Sequence, residues 1–136
     1  MPRLSILAVS ARLPGWAEEA CAEYARRMPK GYEVSRVGVK DEKRLVASLP
    51  KGVDIIVLDE RGRDYTTRQF AELLKREAAF VIGGPDGLSA QVKAQAALAL
   101  RVSSFTLPHA LAQVVLLEQL YRAASLLIGH PYHREG

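Results

Sequence analysis

The chain has 136 residues, of which 49% are apolar and 25% are charged, and it carries a formal net charge of +4. This composition excludes a disordered chain, and the length fits one domain over residues 1–136. The basic excess is compatible with a nucleic-acid partner without identifying one. Because Cys21 is the only cysteine, no disulfide can form within the chain, and we expect a cytoplasmic protein. We also expect no membrane span, since no uninterrupted apolar stretch approaches the roughly 18 residues that a span needs.

The first part of the chain predicts two strands and two helices in alternation. Residues 4–9 have the pattern of a strand, and residues 14–28 carry apolar residues at helical spacing. The apolar stripe of that helix runs through Trp16, Ala20, Tyr24 and Met28, with Ala17 and Cys21 beside them. Residues 32–39 predict a second strand, and Asp41 can cap a short helix that follows it.

The middle of the chain predicts a buried strand and a third helix. Residues 53–58 are nearly all apolar, which is typical of a strand covered on both faces, and we expect this strand to be central. The next segment, DERGRD at 59–64, mixes charges of both signs and predicts a solvated turn with local ion pairs. Thr66 and Gln69 have the spacing of a capping box that starts the third helix.

Two more strands and a short helix follow. Residues 79–82 and 98–103 predict the fourth and fifth strands, and Ser89 can cap an alanine-rich helix between them. The alternation predicts an α/β fold: a three-layer sandwich around a mostly parallel sheet of about five strands.

The last helix is predicted over residues 108–128. Its apolar residues cover most of the circumference, so it must be buried on more than one side. The sheet covers one face, and a second subunit can cover the other, which predicts a homodimer through this C-terminal helix. The alternative is a helix enclosed within one domain.

Two segments emerge where predicted strands end. They are the glycine run at 83–87 and the segment at 102–108. In an open α/β sheet the carboxyl ends of the strands form the ligand-binding edge. The glycine spacing matches neither G-x-G-x-x-G nor a P-loop, and taken alone it slightly favours a tight turn between a strand and a helix.

Three polar residues stand out on the last helix. His109 lies in the first turn, where the helix N-terminus disfavours a protonated imidazole, and it is either a site residue or a surface histidine. Glu118 and Arg122 are four residues apart, so either they pair or Arg122 faces an anion.

The C-terminal residues Tyr132, His133 and Arg134 combine an aromatic ring, an imidazole and a guanidinium. Such groups suit stacking on an extruded base and binding of phosphate, although most chain ends are simply frayed. With one cysteine and three histidines in the chain, we expect no metal site. An antiparallel dimer would bring this tail to the cavity of the other subunit, whereas the tail could also fold back on its own chain.

Several sequence blocks together resemble a known family. IGGPDGLS at 82–89, SFTLPH at 104–109, LLEQLYRA at 116–123 and HPYHRE at 130–135 are similar to its signature blocks, as are LSILAVSARLPGW at 4–16 and EYARRMP at 23–29. The family is the small SPOUT-class methyltransferases that methylate a pseudouridine of large-subunit ribosomal RNA. The resemblance extends along nearly the whole chain.

This resemblance implies a trefoil knot in the C-terminal part, S-adenosylmethionine as cofactor, and methylation of N3 of a pseudouridine on the assembled ribosome. The implied cofactor-binding residues are Leu58, Gly83, Gly84, Val102, Ser103, Ser104, Phe105, Thr106 and Leu107. The implied catalytic residues are His109, Arg122, Tyr132, His133 and Arg134. The alternatives are a non-catalytic α/β dimer that binds a nucleotide or RNA and, less favoured, a flavodoxin-like nucleotide protein.

The chain departs from the family pattern in two places. The segment between residues 39 and 53 is shorter than in typical members, and Gln113 stands where many members have arginine. We expect the first departure to leave the knot unaffected and the second to alter RNA contact or pairing.

Overall fold

A computed structural model describes residues 3–10 and 12–134, apart from the side chain of His133. Strands and helices alternate along these residues. In chain order they are β1 (Leu4–Val9), α1 (Gly15–Arg27), β2 (Val34–Val39), α2 (Glu42–Ser48), β3 (Asp54–Asp64), α3 (Thr67–Leu73), β4 (Ala78–Ile82), α4 (Ala90–Ala94), β5 (Leu98–Arg101), α5 (His109–Ile128) and a 3-10 turn over Pro131–His133.

The five strands form one parallel sheet in the order β2-β1-β4-β3-β5. All five residues of β4 are buried, so β4 is the central strand. The sequence pattern had instead predicted β3 as the central strand. Both strands have the apolar run of a doubly covered strand, and only the pairing decides which of them is in the middle.

The helices cover both faces of the sheet. One core cluster joins the sheet to α1, α3 and α5 through residues such as Cys21, Phe70 and Leu117. The other joins the opposite face to α2 and α4 through Leu45 and Val92. The predicted three-layer α/β sandwich is therefore confirmed.

The predicted helix caps are also confirmed. The side chains of Asp41 and Ser89 accept hydrogen bonds from the backbone N–H groups of Arg44 and Val92. Thr66 and Gln69 form a complete capping box at the start of α3. These caps satisfy backbone donors that the first helical turn leaves unpaired.

The predicted apolar stripe of α1 was wrong at its first residue. Trp16 is 57% exposed, whereas Ala17 and Cys21 are fully buried against the sheet. The helix begins at Gly15, with Pro14 as its N-cap residue. The buried face is thus centred one position further along the chain, which turns the indole toward solvent.

The predicted turn at residues 59–64 was also wrong, because β3 continues to Asp64. A register shift separates the pairing of Leu58 from that of Arg63, and both residues pair with Leu100 of β5. A Cβ at Gly62 would lie 2.7 Å from the carbonyl carbon of Leu100, so only glycine allows this close approach of the two strands. The polar segment obtains its strand structure from β5 and not from its own composition.

The length and composition of α5 correct the expectation about membrane spans. By these two criteria alone its 20 residues are long and apolar enough to cross a membrane. Leu116, Leu117 and Leu120 pack into the core, whereas Val115 is half-buried and Ile128 is 51% exposed. The chain itself therefore leaves part of the apolar surface of α5 uncovered.

Candidate active site

The ends of three neighbouring strands enclose a cavity of about 480 Å³, here called the strand-end cavity. β3, β4 and β5 lead into it, and α5 begins beside it. This is the ligand-binding edge of an open parallel sheet. The cavity is lined by Leu58, Asp59, Glu60, Arg61, Ile82, Gly83, Gly84, Pro85, Asp86, Gly87, Leu88, Lys93, Arg101, Val102, Ser103, Phe105, Leu107, His109 and Ala112.

Most of the predicted cofactor-binding residues lie on this cavity, although they come from three separate segments. Ser104 and Thr106 belong to the same loop but are exposed and do not line it. His109 is the one predicted catalytic residue whose described side chain lines the cavity. The predicted residues on the lining are Leu58, Gly83, Gly84, Val102, Ser103, Phe105, Leu107 and His109.

The glycine run after β4 turns back on itself. The N–H of Gly87 donates a hydrogen bond to the C=O of Gly84 at 2.9 Å, and Gly87 has a φ of +75°. A Cβ at Gly83 would lie 2.8 Å from the carbonyl carbon of Gly87. At Gly84 it would lie 3.2 Å from a methyl carbon of Val9. The loop therefore needs glycine to pack against the protein itself, and the same packing turns bare backbone toward the cavity.

The segment between β5 and α5 forms the opposite wall. The N–H of Phe105 donates a hydrogen bond to the Ser103 hydroxyl at 2.9 Å, which fixes a turn in the loop. Leu107 is half-buried, whereas the Phe105 ring is 82% exposed. The wall thus combines backbone groups with apolar side chains, the usual lining of a small-molecule site.

His109 connects α5 to the glycine loop. Its ring is hydrogen-bonded to the backbone of Gly83, and its Nε2 lies 2.9 Å from the side-chain amide nitrogen of Gln113. Burial lowers the pKa of His109 below its ordinary value. The lowered pKa agrees in direction with the expected neutral imidazole, and burial is its main cause.

Charged residues that the sequence analysis did not assign to the site form its rim. Asp59 forms an ion pair with Lys93 of α4 at 3.2 Å, and Arg101 donates to Asp64 at 2.7 Å. The N–H of Arg61 donates to Asp59 and lowers the pKa of that carboxyl. The position of Asp59 directly after an apolar strand was a usable signal, whereas nothing in the sequence of α4 indicated Lys93.

Two of the other predicted catalytic residues, Arg122 and Tyr132, belong to a second group, here called the helix–tail cluster, which consists of Glu118, Tyr121, Arg122 and Tyr132. The Arg122 guanidinium contacts Glu118 at 2.8 Å and lies 4.9 Å from the centre of the Tyr132 ring. The Tyr132 hydroxyl donates to Glu118 at 3.0 Å, and its ring centre is 4.4 Å from that of Tyr121. Burial, followed by hydrogen bonds to Tyr24 and Glu118, raises the pKa of Tyr132.

Within one chain the helix–tail cluster is separate from the strand-end cavity. Arg122 follows Ala112, the last residue of α5 on the cavity lining, by ten residues, which is about 15 Å along a helix. The tail folds back on α5 of its own chain, one of the two arrangements expected, and the Tyr132 hydroxyl contacts Glu118. Arg134 is exposed, and the side chain of His133 lies outside the described residues.

Metal ligands do not cluster in the part of the chain that the structure describes. No group of three or more His, Cys, Asp or Glu residues among residues 3–10 and 12–134 could hold a metal ion.

Comparison with solved structures identifies the class of this fold. A probable methylase family protein from Haemophilus influenzae superposes with a TM-score of 0.61 at 14% identity, covering 96% of this chain and 70% of the other. The SpoU methyltransferase AviRb from Streptomyces viridochromogenes, in complex with AdoMet, superposes with a TM-score of 0.56 at 17% identity. The match covers 94% of this chain and 59% of the other. The chain has the α/β fold of SPOUT-type methyltransferases, as expected. The trefoil knot implied by the resemblance stays a prediction.

Sequence comparison then identifies the family. A model described as "Predicted SPOUT methyltransferase" matches residues 2–133, so this chain belongs to the SPOUT methyltransferase family. A protein of Laribacter hongkongensis is 42% identical over 98% of this chain and 99% of its own length. A protein of Burkholderia multivorans is 46% identical over 97% of this chain and 99% of its own length. Both relatives are named ribosomal RNA large subunit methyltransferase H.

Proposed function

We propose that this protein transfers a methyl group from S-adenosylmethionine to N3 of a pseudouridine in large-subunit ribosomal RNA, on the assembled ribosome. The observation that carries the proposal is the strand-end cavity, walled by the glycine loop and the segment before α5, in a chain of the SPOUT family. The names of the relatives support ribosomal RNA as the substrate. We further propose that residues 1–136 act as one domain in the cytoplasm.

The residues of the strand-end cavity fit this cofactor. The apolar side chains of Leu58, Ile82 and Leu107 can contact an adenine ring, while the backbone of the two loops offers N–H and C=O groups to its edge. The rim carries the carboxyl groups of Asp59 and Glu60 beside the basic groups of Arg61, Lys93 and Arg101, which suits a ligand that carries charges of both signs. Bound there, S-adenosylmethionine would supply an electrophilic methyl group.

The residues proposed to act on the RNA are His109, Arg122, Tyr132, His133 and Arg134. Neutral His109 lies in the cavity wall and can donate or accept a hydrogen bond. Arg122 and Arg134 can bind phosphate, and the Tyr132 ring can stack on a base. Their common role is to hold the target base in the orientation for attack, which can lower a barrier by about 7 kcal/mol or more. On transfer, the bond between the methyl carbon and the sulfonium sulfur would break as the bond to N3 forms, S-adenosylhomocysteine would leave, and the N3 proton would pass to water.

The separation of the two groups supports a homodimer in which the site is shared between subunits. Arg122 lies about 15 Å along α5 from Ala112, the nearest cavity-lining residue of the helix, and the Tyr132 hydroxyl reaches back as far as Glu118. Val115 and Ile128 of α5 keep apolar surface that the chain does not cover. An antiparallel pairing of α5 with α5 of a second copy would bury this surface and bring each tail to the cavity of the other copy.

Methyl transfer to ribosomes tests the proposal. Labelled S-adenosylmethionine is offered with ribosomes that lack the modification, with separated subunits and with protein-free RNA, and the labelled nucleotide is then mapped. We expect label on N3 of one pseudouridine in assembled ribosomes. Label on another atom of the nucleotide, or on another RNA, would refute the proposed substrate. Failure of the protein to bind S-adenosylmethionine would refute the proposed methyltransferase activity.

A non-catalytic dimer that binds a nucleotide or RNA is the alternative. One observation favours it: Glu118 already pairs with Arg122 and Tyr132, so this group is stable without a substrate. Removal of residues 130–136 separates the two functions. If cofactor binding persists and methyl transfer stops, the tail serves catalysis. Cofactor binding by the intact protein with no transfer to any RNA would favour the binding protein.

A further inference from the structure

A second cavity, of about 240 Å³, lies at the same edge of the sheet as the strand-end cavity. Its polar lining comes from the ends of β1 and β2 and from α1 and α5, and includes Ser10, Arg12, Glu18, Arg36 and Gln113. All strands are parallel and β1 pairs with β4, so the carboxyl ends of β1 and β2 lie next to those that form the first cavity. The two cavities are neighbours along one edge.

Gln113 lies between the two cavities. Its side chain is 4% exposed and lines the second cavity, and its amide nitrogen contacts the ring of His109, which lines the first. One side-chain contact thus separates them. A ligand that extends beyond the first cavity in this direction reaches the second.

The side chains of the second cavity favour an anion. Arg12 and Arg36 supply two positive charges and Glu18 one negative charge. Arg36 donates through Nη1 to Glu18 at 2.7 Å. Its Nε is buried and has no hydrogen-bond partner among the described residues. A buried donor without an acceptor costs free energy, which an anion oxygen in the cavity could recover after a small movement of the side chain.

The start of α1 adds to this charge. Leu13 and Glu18, on either side of the first turn, both line the cavity. The N-cap residue, Pro14, provides no side-chain hydrogen bond, and its C=O accepts from the N–H groups of Ala17 and Glu18. The positive end of the helix dipole therefore lies at the cavity.

We infer that the second cavity binds a backbone phosphate of the RNA substrate next to the target nucleotide, with Arg12 and Arg36 as its ligands. The inference rests on the proposed function, since it gives the same substrate a second point of contact. Arginine suits this role because its planar group offers paired N–H donors to phosphate oxygens. Glu18 competes with the phosphate for Arg36.

Two substitutions with opposite expected effects test the inference. Binding of Arg12→Ala and Glu18→Gln to unmodified large ribosomal subunits is measured over a series of salt concentrations. Arg12→Ala should weaken binding about tenfold. It should also reduce the slope of log affinity against log salt by about 0.7 to 0.9. Glu18→Gln should strengthen binding, because it removes the competing carboxylate.

Arg76→Ala is the matched control. It removes the same charge from an exposed arginine that precedes β4, at the opposite edge of the sheet, where its partner is Asp54. Cofactor affinity and thermal unfolding of each variant, measured in parallel, report on folding. We expect all three variants to bind S-adenosylmethionine as the unchanged protein does.

Three results would overturn the inference. Equal affinity and salt slope in Arg12→Ala and the unchanged protein would exclude a phosphate contact. Loss of S-adenosylmethionine affinity in Arg12→Ala would assign the cavity to the cofactor. Binding of inorganic phosphate that depends on Arg12, with RNA affinity unchanged, would assign it to a free anion. Because the measurement is binding, lack of methyl transfer by the unchanged protein would refute the proposed function without affecting this test.

Discussion

The strand-end cavity and the helix–tail cluster hold their polar groups in different ways. In the cavity, the glycine loop and the segment before α5 turn backbone toward a space of about 480 Å³. In the cluster, Glu118 accepts hydrogen bonds from Gln119, Arg122 and Tyr132, so the charges and hydroxyl are satisfied within the chain. The cavity is therefore built to receive a ligand as it stands, whereas the cluster must exchange a partner before Arg122 can bind one.

The strand-end cavity and the helix–tail cluster also differ in whether one chain is enough to complete them. The predicted residues that line the cavity come together in one chain, from the ends of β3, β4 and β5. The cluster lies two to three helical turns away, on a helix that keeps apolar surface exposed. If the cluster acts in catalysis, its distance from the cavity favours a site completed by another subunit.

Arg122→Ala should have the largest effect. We expect methyl transfer to fall at least about 100-fold, because misplacement of a substrate by about 1 Å can cost that much, while cofactor affinity stays unchanged. Transfer rate and calorimetric binding of S-adenosylmethionine check this. Arg68→Ala, which removes an exposed arginine of α3, is the control and should keep full activity. Normal transfer by Arg122→Ala would make the cluster purely structural.

Mixing two inactive variants should restore part of the activity if the site is shared. In a mixed dimer of Arg122→Ala and His109→Ala, one of the two sites receives an unchanged cavity and an unchanged tail. Random pairing of equal amounts gives about a quarter of the original sites. Transfer rates before and after mixing, with each variant checked to be dimeric, measure this. No gain on mixing would show that each chain uses its own tail.

Gly83→Ala should damage the cavity without touching the cluster. The added Cβ meets the backbone of Gly87 at 2.8 Å, so the loop must move, and we expect a loss of about 1 to 3 kcal/mol in the free energy of unfolding together with loss of cofactor binding. Urea denaturation and calorimetry measure the two effects. Gly15→Ala is the matched control, since a Cβ there has no atom within 4 Å. Equal damage by both substitutions would contradict the packing argument.

Gln113→Leu should have a smaller effect, confined to the wall between the cavities. It removes the contact with His109 and leaves a half-buried ring nitrogen without this partner. We expect this loss to weaken cofactor binding by about 1 kcal/mol, which is about a fivefold lower affinity. Titration of the His109 ring by NMR shows whether its environment changed. Gln91→Met, at an exposed glutamine of α4, should change neither quantity. An unchanged His109 titration in Gln113→Leu would contradict the contact.

The pH dependence of stability should show the smallest effect. Burial lowers the pKa of His109 in the folded protein, so below its unfolded pKa of about 6.5 the unfolded chain binds more protons. The free energy of unfolding should therefore decrease as the pH falls through that value. His109→Gln should flatten this dependence between about pH 7.5 and 5.5. Urea denaturation at each pH measures it, and equal slopes in the unchanged protein and His109→Gln would contradict the prediction.

Local patterns predicted those features that depend on neighbours in the chain. The caps at Asp41, Thr66 and Ser89 were found because a side chain and the backbone three residues later decide them. The strand-end position of the glycine loop followed from an apolar run before it. Residues 59–64 were misassigned because β5, which is distant in sequence, supplies their pairing. The exposure of Trp16 depends on how α1 is rotated against the sheet, which its own spacing leaves open.

The sequence by itself determined the α/β class, the three-layer order and the two loops that form the strand-end cavity, because apolar periodicity and turn residues act over a few positions. Only the tertiary structure decided that β4 is central, that Lys93 and Arg101 reach the rim, and that Gln113 lies between two cavities. It also decided that Tyr132 folds back on Glu118 of its own chain. These features depend on which distant segments pack together, and packing is decided by the shape and pairing of the whole sheet.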